Sequence, residues 1–182
     1  MTIEKTFIQD LVIITPRVFE DSRGYFFEAY NQAQFHENDI KYQFIQDNQS
    51  FSKRGVIRGL HLQINPFAQA KLVRVLKGEI LDVAVDLRKN SPTYGQHFSV
   101  VLSAENKKQL MVPHGFAHGF SVLSETASVM YKVDQLYHKE SERGIRYDDP
   151  TLAIDWQLDS KEIIVSEKDL ILPSFEDIDW EF

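Results

Sequence analysis

The sequence predicts a mainly β protein, a jelly-roll or barrel of short strands, from three observations. Apolar residues alternate with period two in many short segments, those segments are rich in Val, Ile, Phe and Tyr, and Gly, Asn or Pro punctuates the gaps. Helical periodicity is confined to a few residues. With 182 residues, 43% hydrophobic and 26% charged, the chain can bury one substantial core, and we read 1–182 as a single domain.

The elements follow in order. Strands are expected at 11–15, 24–30, 43–52 and 55–63, with Asp21-Ser22-Arg23-Gly24 as turn chemistry before the second of them. Asn31 caps a short helix that runs through Gln34-Phe35-His36. A strand near 71–76 leads through the tight turn Lys77-Gly78 into 79–87, which shows the alternation best. There Leu81, Val83, Val85 and Leu87 form a core face, while Ile80, Asp82, Ala84 and Asp86 form a partly polar one. Further strands are expected at 97–103, 109–112, 118–123 and 127–134, with a turn at Asn90-Ser91-Pro92 and a second short helix in the last thirty residues. Internal repeats, low-complexity tracts and linkers are absent.

Composition excludes several function classes. A net charge of -7 disfavours nucleic-acid binding, although a local basic pocket for a phosphorylated small molecule is compatible with it. No apolar run is long enough to span a bilayer, and Met1-Thr2-Ile3-Glu4-Lys5 lacks the start of a signal peptide, so a cytoplasmic protein is expected. The chain has no cysteine, which leaves only His and carboxylate ligands for any metal, and it has six histidines.

The chemistry concentrates where ionisable residues interrupt strand-like sequence. Arg58-Gly59-Leu60-His61-Leu62-Gln63 comes first, then Lys71-Leu72-Val73-Arg74-Val75, the block Pro113 to Phe120, and Tyr131 to Tyr137. Buried charge is expensive unless it is paired or used. Strict alternation puts Ile57, Gly59, His61 and Gln63 on one face and Arg58, Leu60 and Leu62 on the other. Singly, each residue has an ordinary explanation: His61 as a structural histidine, Lys71 as a snorkelling surface lysine, and Tyr131, in register with Ala127, Val129 and Val133, as a core tyrosine.

Pro113-His114-Gly115-Phe116-Ala117-His118 fits Pro-x-Gly-x-x-His and resembles the second conserved motif of cupins. In metal cupins that histidine joins two others and a glutamate. Here Gln63 stands where a second histidine would follow His61, and no suitably spaced glutamate completes the set, so no metal is expected.

A closer resemblance covers nearly the whole chain. Phe19 to Glu28, Gln46 to Ser50, Arg58 to His61, Lys71 to Arg74, Gly95-Gln96, Leu102 to Asn106, Pro113 to Phe120, Tyr131, and Ser166 to Asp169 are similar to the dTDP-4-dehydrorhamnose 3,5-epimerase family. That resemblance implies a cupin-type jelly roll and epimerisation at C3 and C5 of a dTDP-4-keto-6-deoxy sugar without a cofactor. It further implies His61 as base with Asp169 holding its ring, Lys71 stabilising the enolate oxygen, and Tyr131 as acid.

By the same resemblance Arg23, Glu28, Gln46, Asn48, Arg58, Lys71, His118, Glu142 and Lys168 contact the substrate. The family also implies a homodimer in which Arg23 and Glu28 act across the interface. Rival expectations are a 3-epimerase or ketoisomerase on a related sugar nucleotide, and a metal-binding or non-catalytic cupin. If Arg58 and His61 serve one site, their opposite parity requires a twist, a bulge at Gly59, or an arginine reaching round an edge.

Overall fold

In the computed structural model, which describes residues 1–182, the expected alternation appears as two facing antiparallel sheets and a small hairpin. The strands are β1 (Thr2–Lys5), β2 (Val12–Thr15), β3 (Phe19–Asp21), β4 (Gly24–Phe26), β5 (Gln46–Lys53), β6 (Ile57–Gln63) and β7 (Lys71–Lys77). They continue with β8 (Glu79–Asp86), β9 (His97–Ser103), β10 (Gln109–Val112), β11 (Phe116–Val122), β12 (Thr126–Val133) and β13 (Glu142–Gly144). One sheet has the order β1-β2-β10-β7-β12-β5, the other β13-β6-β11-β8-β9, and β3-β4 stands apart.

Period-two alternation divides the apolar residues between layers. Val73, Val75, Ala127 and Val129 of the first sheet meet Ile80, Ala84, Phe116 and Phe120 of the second in the central core. The opposite face of the second sheet is covered as well. Leu81, Val83, Val85 and Leu87 pack under the C-terminal segment, against Leu152 and Trp156. The partly polar face expected for β8 turns to the other sheet, with Ile80 and Ala84 in the central core, and is enclosed too: Asp82 and Asp86 are 0% exposed. Asp86 is bonded to Arg88, Ser91 and Thr93, while Asp82 is bonded through Oδ1 to His118 and its Oδ2 has no partner.

Several boundaries differ from expectation. The strand expected at 24–30 stops at Phe26, since Tyr30 turns its ring edge-on to Phe35 and Phe44 and leads the chain into helix α1 (Gln32–Glu37). For the same reason β5 begins at Gln46 rather than 43. Asn31 does cap α1, its side chain accepting the Gln34 N–H. The second helix, α2 (Glu167–Leu170), is one turn, capped by Ser166. β1, β3 and β13 were not expected, because three or four mostly polar residues carry no alternation signal and are strands only through their partners.

The bulge at Gly59 is present. Between β11 and β6, His118 pairs with His61 and Phe120 with Arg58, so two steps on one strand span three on the other. Gly59 has φ +123°, and a Cβ there would lie 2.5 Å from the Gly119 Cα. The extra residue resets the alternation, and Arg58 and His61 face the same cavity while Leu60 and Leu62 remain in the layer beneath the C-terminal segment.

Candidate active site

A cavity of about 500 Å³ is lined by residues of both sheets. Its functional side chains come from five elements: Arg58 and His61 from β6, Lys71 from β7, His118 from β11, Tyr131 from β12, and Asp169 from α2. A second lobe of about 250 Å³ shares His61, Lys71 and Tyr131 and adds Gln46, Asn48 and Glu142. A separate groove of about 580 Å³, beside β1, holds none of the expected site residues.

His61 Nε2 lies 2.7 Å from Asp169 Oδ1. The capped turn of α2 aims this carboxylate at the strand, and its side chain is 6% exposed against 28% for His61. Burial by itself would raise the Asp169 carboxyl, but the hydrogen bond and charge of His61 and donations from Gly59 and Ser166 outweigh it and hold the group below its ordinary value. A dyad results in which one member stays ionised and the other opens to the cavity.

Lys71 lies beside this pair, its Nζ donating to the His61 carbonyl at 3.2 Å. Desolvation pushes the lysine down to about 8, against the opposing pull of Asp82 and Glu142. It thus remains mostly charged at neutral pH while standing in a poorly solvated wall. Burial pushes the Tyr131 phenol up, and the positive charge of Arg58 partly offsets the shift. Arg58 itself is steered by Ser52, whose hydroxyl accepts its Nε at 3.0 Å.

His118 is buried, with Nε2 2.8 Å from Asp82 Oδ1. At the outer rim Glu142 accepts from both Tyr137 (2.8 Å) and Lys168 (2.7 Å). Burial raises Glu142, but those bonds and the charges of Lys168 and His61 prevail and its pKa is lowered. Glu142 is thus a paired acid whose side chain is 21% exposed. Gln46 donates to Asn48 at 2.8 Å, which orders the β5 side of the second lobe.

Two expected residues stand outside the cavity of a single chain. Arg23, at the tip of the β3-β4 hairpin, is 88% exposed and pairs only with neighbouring Asp21. Glu28 accepts from the side chains of Asn31 and Gln34. Conversely, the sequence places Asp82 only on the partly polar face of its strand and Tyr137 only at the end of the Tyr131 to Tyr137 block, neither with a site role. A lone acid inside Ile80-Leu81-Asp82-Val83 is a detectable signal for the first, whereas Tyr137 lies beyond the end of its strand, where alternation assigns no face.

A cupin-type barrel that gathers a His–Asp pair, a lysine of lowered pKa and a phenol round one cavity defines an isomerase-like proton-transfer site. The family model for dTDP-4-dehydrorhamnose 3,5-epimerase matches residues 5–177, and the chain belongs to that family. The dTDP-4-dehydrorhamnose 3,5-epimerase of Shigella flexneri is 49% identical over 181 residues, covering 99% of each chain. The crystal structure of the enzyme of that name from Elizabethkingia anophelis NUHP1 superimposes with TM-score 0.94 at 52% identity, again over 99% of both chains. A dTDP-6-deoxy-D-glucose-3,5-epimerase from Legionella pneumophila Philadelphia 1, in complex with dTDP-4-keto-L-rhamnose, gives 0.94 at 48% identity over 98% of this chain and 94% of that one.

Proposed function

We infer that this chain is an isomerase that inverts C3 and C5 of dTDP-4-dehydro-6-deoxy-D-glucose, giving dTDP-4-dehydro-L-rhamnose for dTDP-L-rhamnose biosynthesis. The observation that carries the reading is the convergence of His61, Asp169, Lys71 and Tyr131 on one cavity in a chain of this family.

Both hydrogens are α to the C4 carbonyl, so each leaves as a proton while the C–H electron pair moves into an enolate. Nothing is oxidised or reduced. With Nε2–H donated to the Asp169 carboxylate, His61 keeps a lone pair on Nδ1 and takes the proton there. Asp169 stabilises the imidazolium that forms. Lys71 places its positive charge at the developing O4 anion, where it stabilises the transition state more than the resting ketone. Tyr131 returns a proton from the opposite face, at least at C5, which completes inversion.

Arg58, Gln46, Asn48, His118, Glu142 and Lys168 bind the nucleotide, its diphosphate or the sugar, the cations through charge-assisted bonds. The exposed Arg23, with Glu28, serves the cavity of a second copy in a homodimer, which gives a use to a hairpin bearing the exposed rings of Phe19, Tyr25 and Phe26. The enzyme works in the cytoplasm and needs no cofactor for this chemistry.

The test is incubation with dTDP-4-keto-6-deoxy-D-glucose in deuterated water, followed by proton NMR of the sugar. Label is expected at both C3 and C5. Absence of exchange at both carbons overturns the reading, and exchange at C3 alone reduces it to a 3-epimerase.

A further inference from the structure

We propose that Gln63 is a positioning residue that sets one wall of the cavity by gripping the loop that carries Tyr137. The side-chain amide is buried and every part of it is engaged. Its Nε2 donates to the Leu136 carbonyl at 3.2 Å and to the Phe67 carbonyl at 2.6 Å, and its Oε1 accepts the His138 N–H at 2.7 Å. The residues before and after Tyr137 are thus held by one planar group, and Tyr137 projects between them.

Neighbouring contacts work in the same direction. The His138 ring stacks on Phe67, centroids 3.8 Å apart and nearly parallel, and Gln69 donates to the Gln135 carbonyl at 2.6 Å. The phenol of Tyr137 then meets Glu142, which stands opposite Gln63 in the β13-β6 register. Gln63 itself lies two residues from His61 on the same strand. One side chain therefore ties the irregular rim to the strand that carries the proposed base.

The substitution pattern that this geometry forbids is specific. Two donors and one acceptor on a single group require an amide. A glutamate in its place keeps the acceptor but turns two donations into repulsion between a carboxylate and two carbonyl oxygens. A methionine fills the volume and makes none of the bonds.

The inference rests on the sugar-nucleotide reading of the cavity, and the experiment separates the two. Steady-state kinetics on dTDP-4-keto-6-deoxy-D-glucose are measured for the wild type, Gln63→Glu, Gln63→Met, Tyr137→Ala and the double variant Gln63→Glu/Tyr137→Ala, with circular dichroism as the check on folding. The expected result is a KM raised at least tenfold in either Gln63 variant with kcat within threefold, and no further rise when Gln63→Glu is added to Tyr137→Ala. A folded Gln63 variant with wild-type KM, a fall in kcat at constant KM, or effects that multiply in the double variant overturns the proposal. Amide exchange in the wild type stands apart from any variant: the His138 N–H is expected to be protected without ligand, and free exchange there overturns the clamp. A wild type that fails to turn over the sugar at all refutes the functional reading instead.

Discussion

Asp169 meets His61 across 108 residues of chain, Oδ1 to Nε2 at 2.7 Å, and does so from the single turn of α2. An ionised carboxylate can only accept, so a neutral His61 carries its proton on Nε2, while Asp169 stays largely buried in the cavity wall. Asp169→Asn keeps the shape but removes the charge that balances an imidazolium. Because general-base catalysis contributes about 10²–10⁴ in rate, kcat is expected to fall by about that factor with KM changed only a few-fold. Deuterium exchange at C3 and C5 measures it, and near wild-type exchange would show that the pair is merely structural.

Tyr131 lies on a different strand from His61 yet borders both lobes of the cavity. If the phenol returns a proton on the face opposite the base, Tyr131→Phe spares exchange at C3 more than completed inversion at C5. Time-resolved proton NMR distinguishes the two carbons. Equal loss at both contradicts this division of labour.

Lys71 titrates near 8 instead of 10.5 because burial disfavours its charge. Activity is therefore expected to decline as pH rises through about 8, when the cation at O4 is lost. Stability has the opposite sign. Below pH 8 the folded and unfolded lysines are both charged and the burial cost is fully present; between 8 and 10.5 only the folded one releases its proton, and the cost fades. Lys71→Met removes that cost. The shift sets a ceiling of about 3 kcal/mol, and partial opening to the cavity reduces the expected gain at pH 7 to about 1–2 kcal/mol, alongside near-complete loss of turnover. Urea unfolding at pH 7 and pH 10 checks both signs.

Gly59 reconciles Arg58 with His61, and its backbone geometry admits no side chain. Gly59→Ala adds a Cβ against Gly119 at a positive φ. Strain of this kind costs about 1–3 kcal/mol, and here it also displaces both functional residues. A lowered denaturation midpoint together with loss of exchange is expected; a fully active variant of unchanged stability would be incompatible with the bulge as described.

Arg23 is exposed and paired only locally within its own chain. If it serves a second copy, Arg23→Ala raises KM, and mixing it with inactive His61→Ala restores activity, because a mixed dimer contains one site with both residues intact. No recovery after co-refolding would show that Arg23 does not act across the interface.

The sequence by itself determined the sheet texture, the turns at Gly24 and Gly78 and the cap at Asn31. These are local matters of alternation and turn chemistry, whereas the candidate site residues came from the family resemblance. The sequence also posed the parity conflict between Arg58 and His61, since a period of two puts an odd separation on opposite faces. Only the tertiary structure resolved it, because the bulge exists through the pairing of β6 with β11. The same holds for the partly polar face of β8, which is buried only because the other sheet lies against it, and for the strands β1, β3 and β13, which need partners. Long-range pairing likewise decided what Gln63 does. Its three bonds reach backbone groups as far as 75 residues away, and nothing in the neighbouring sequence encodes them.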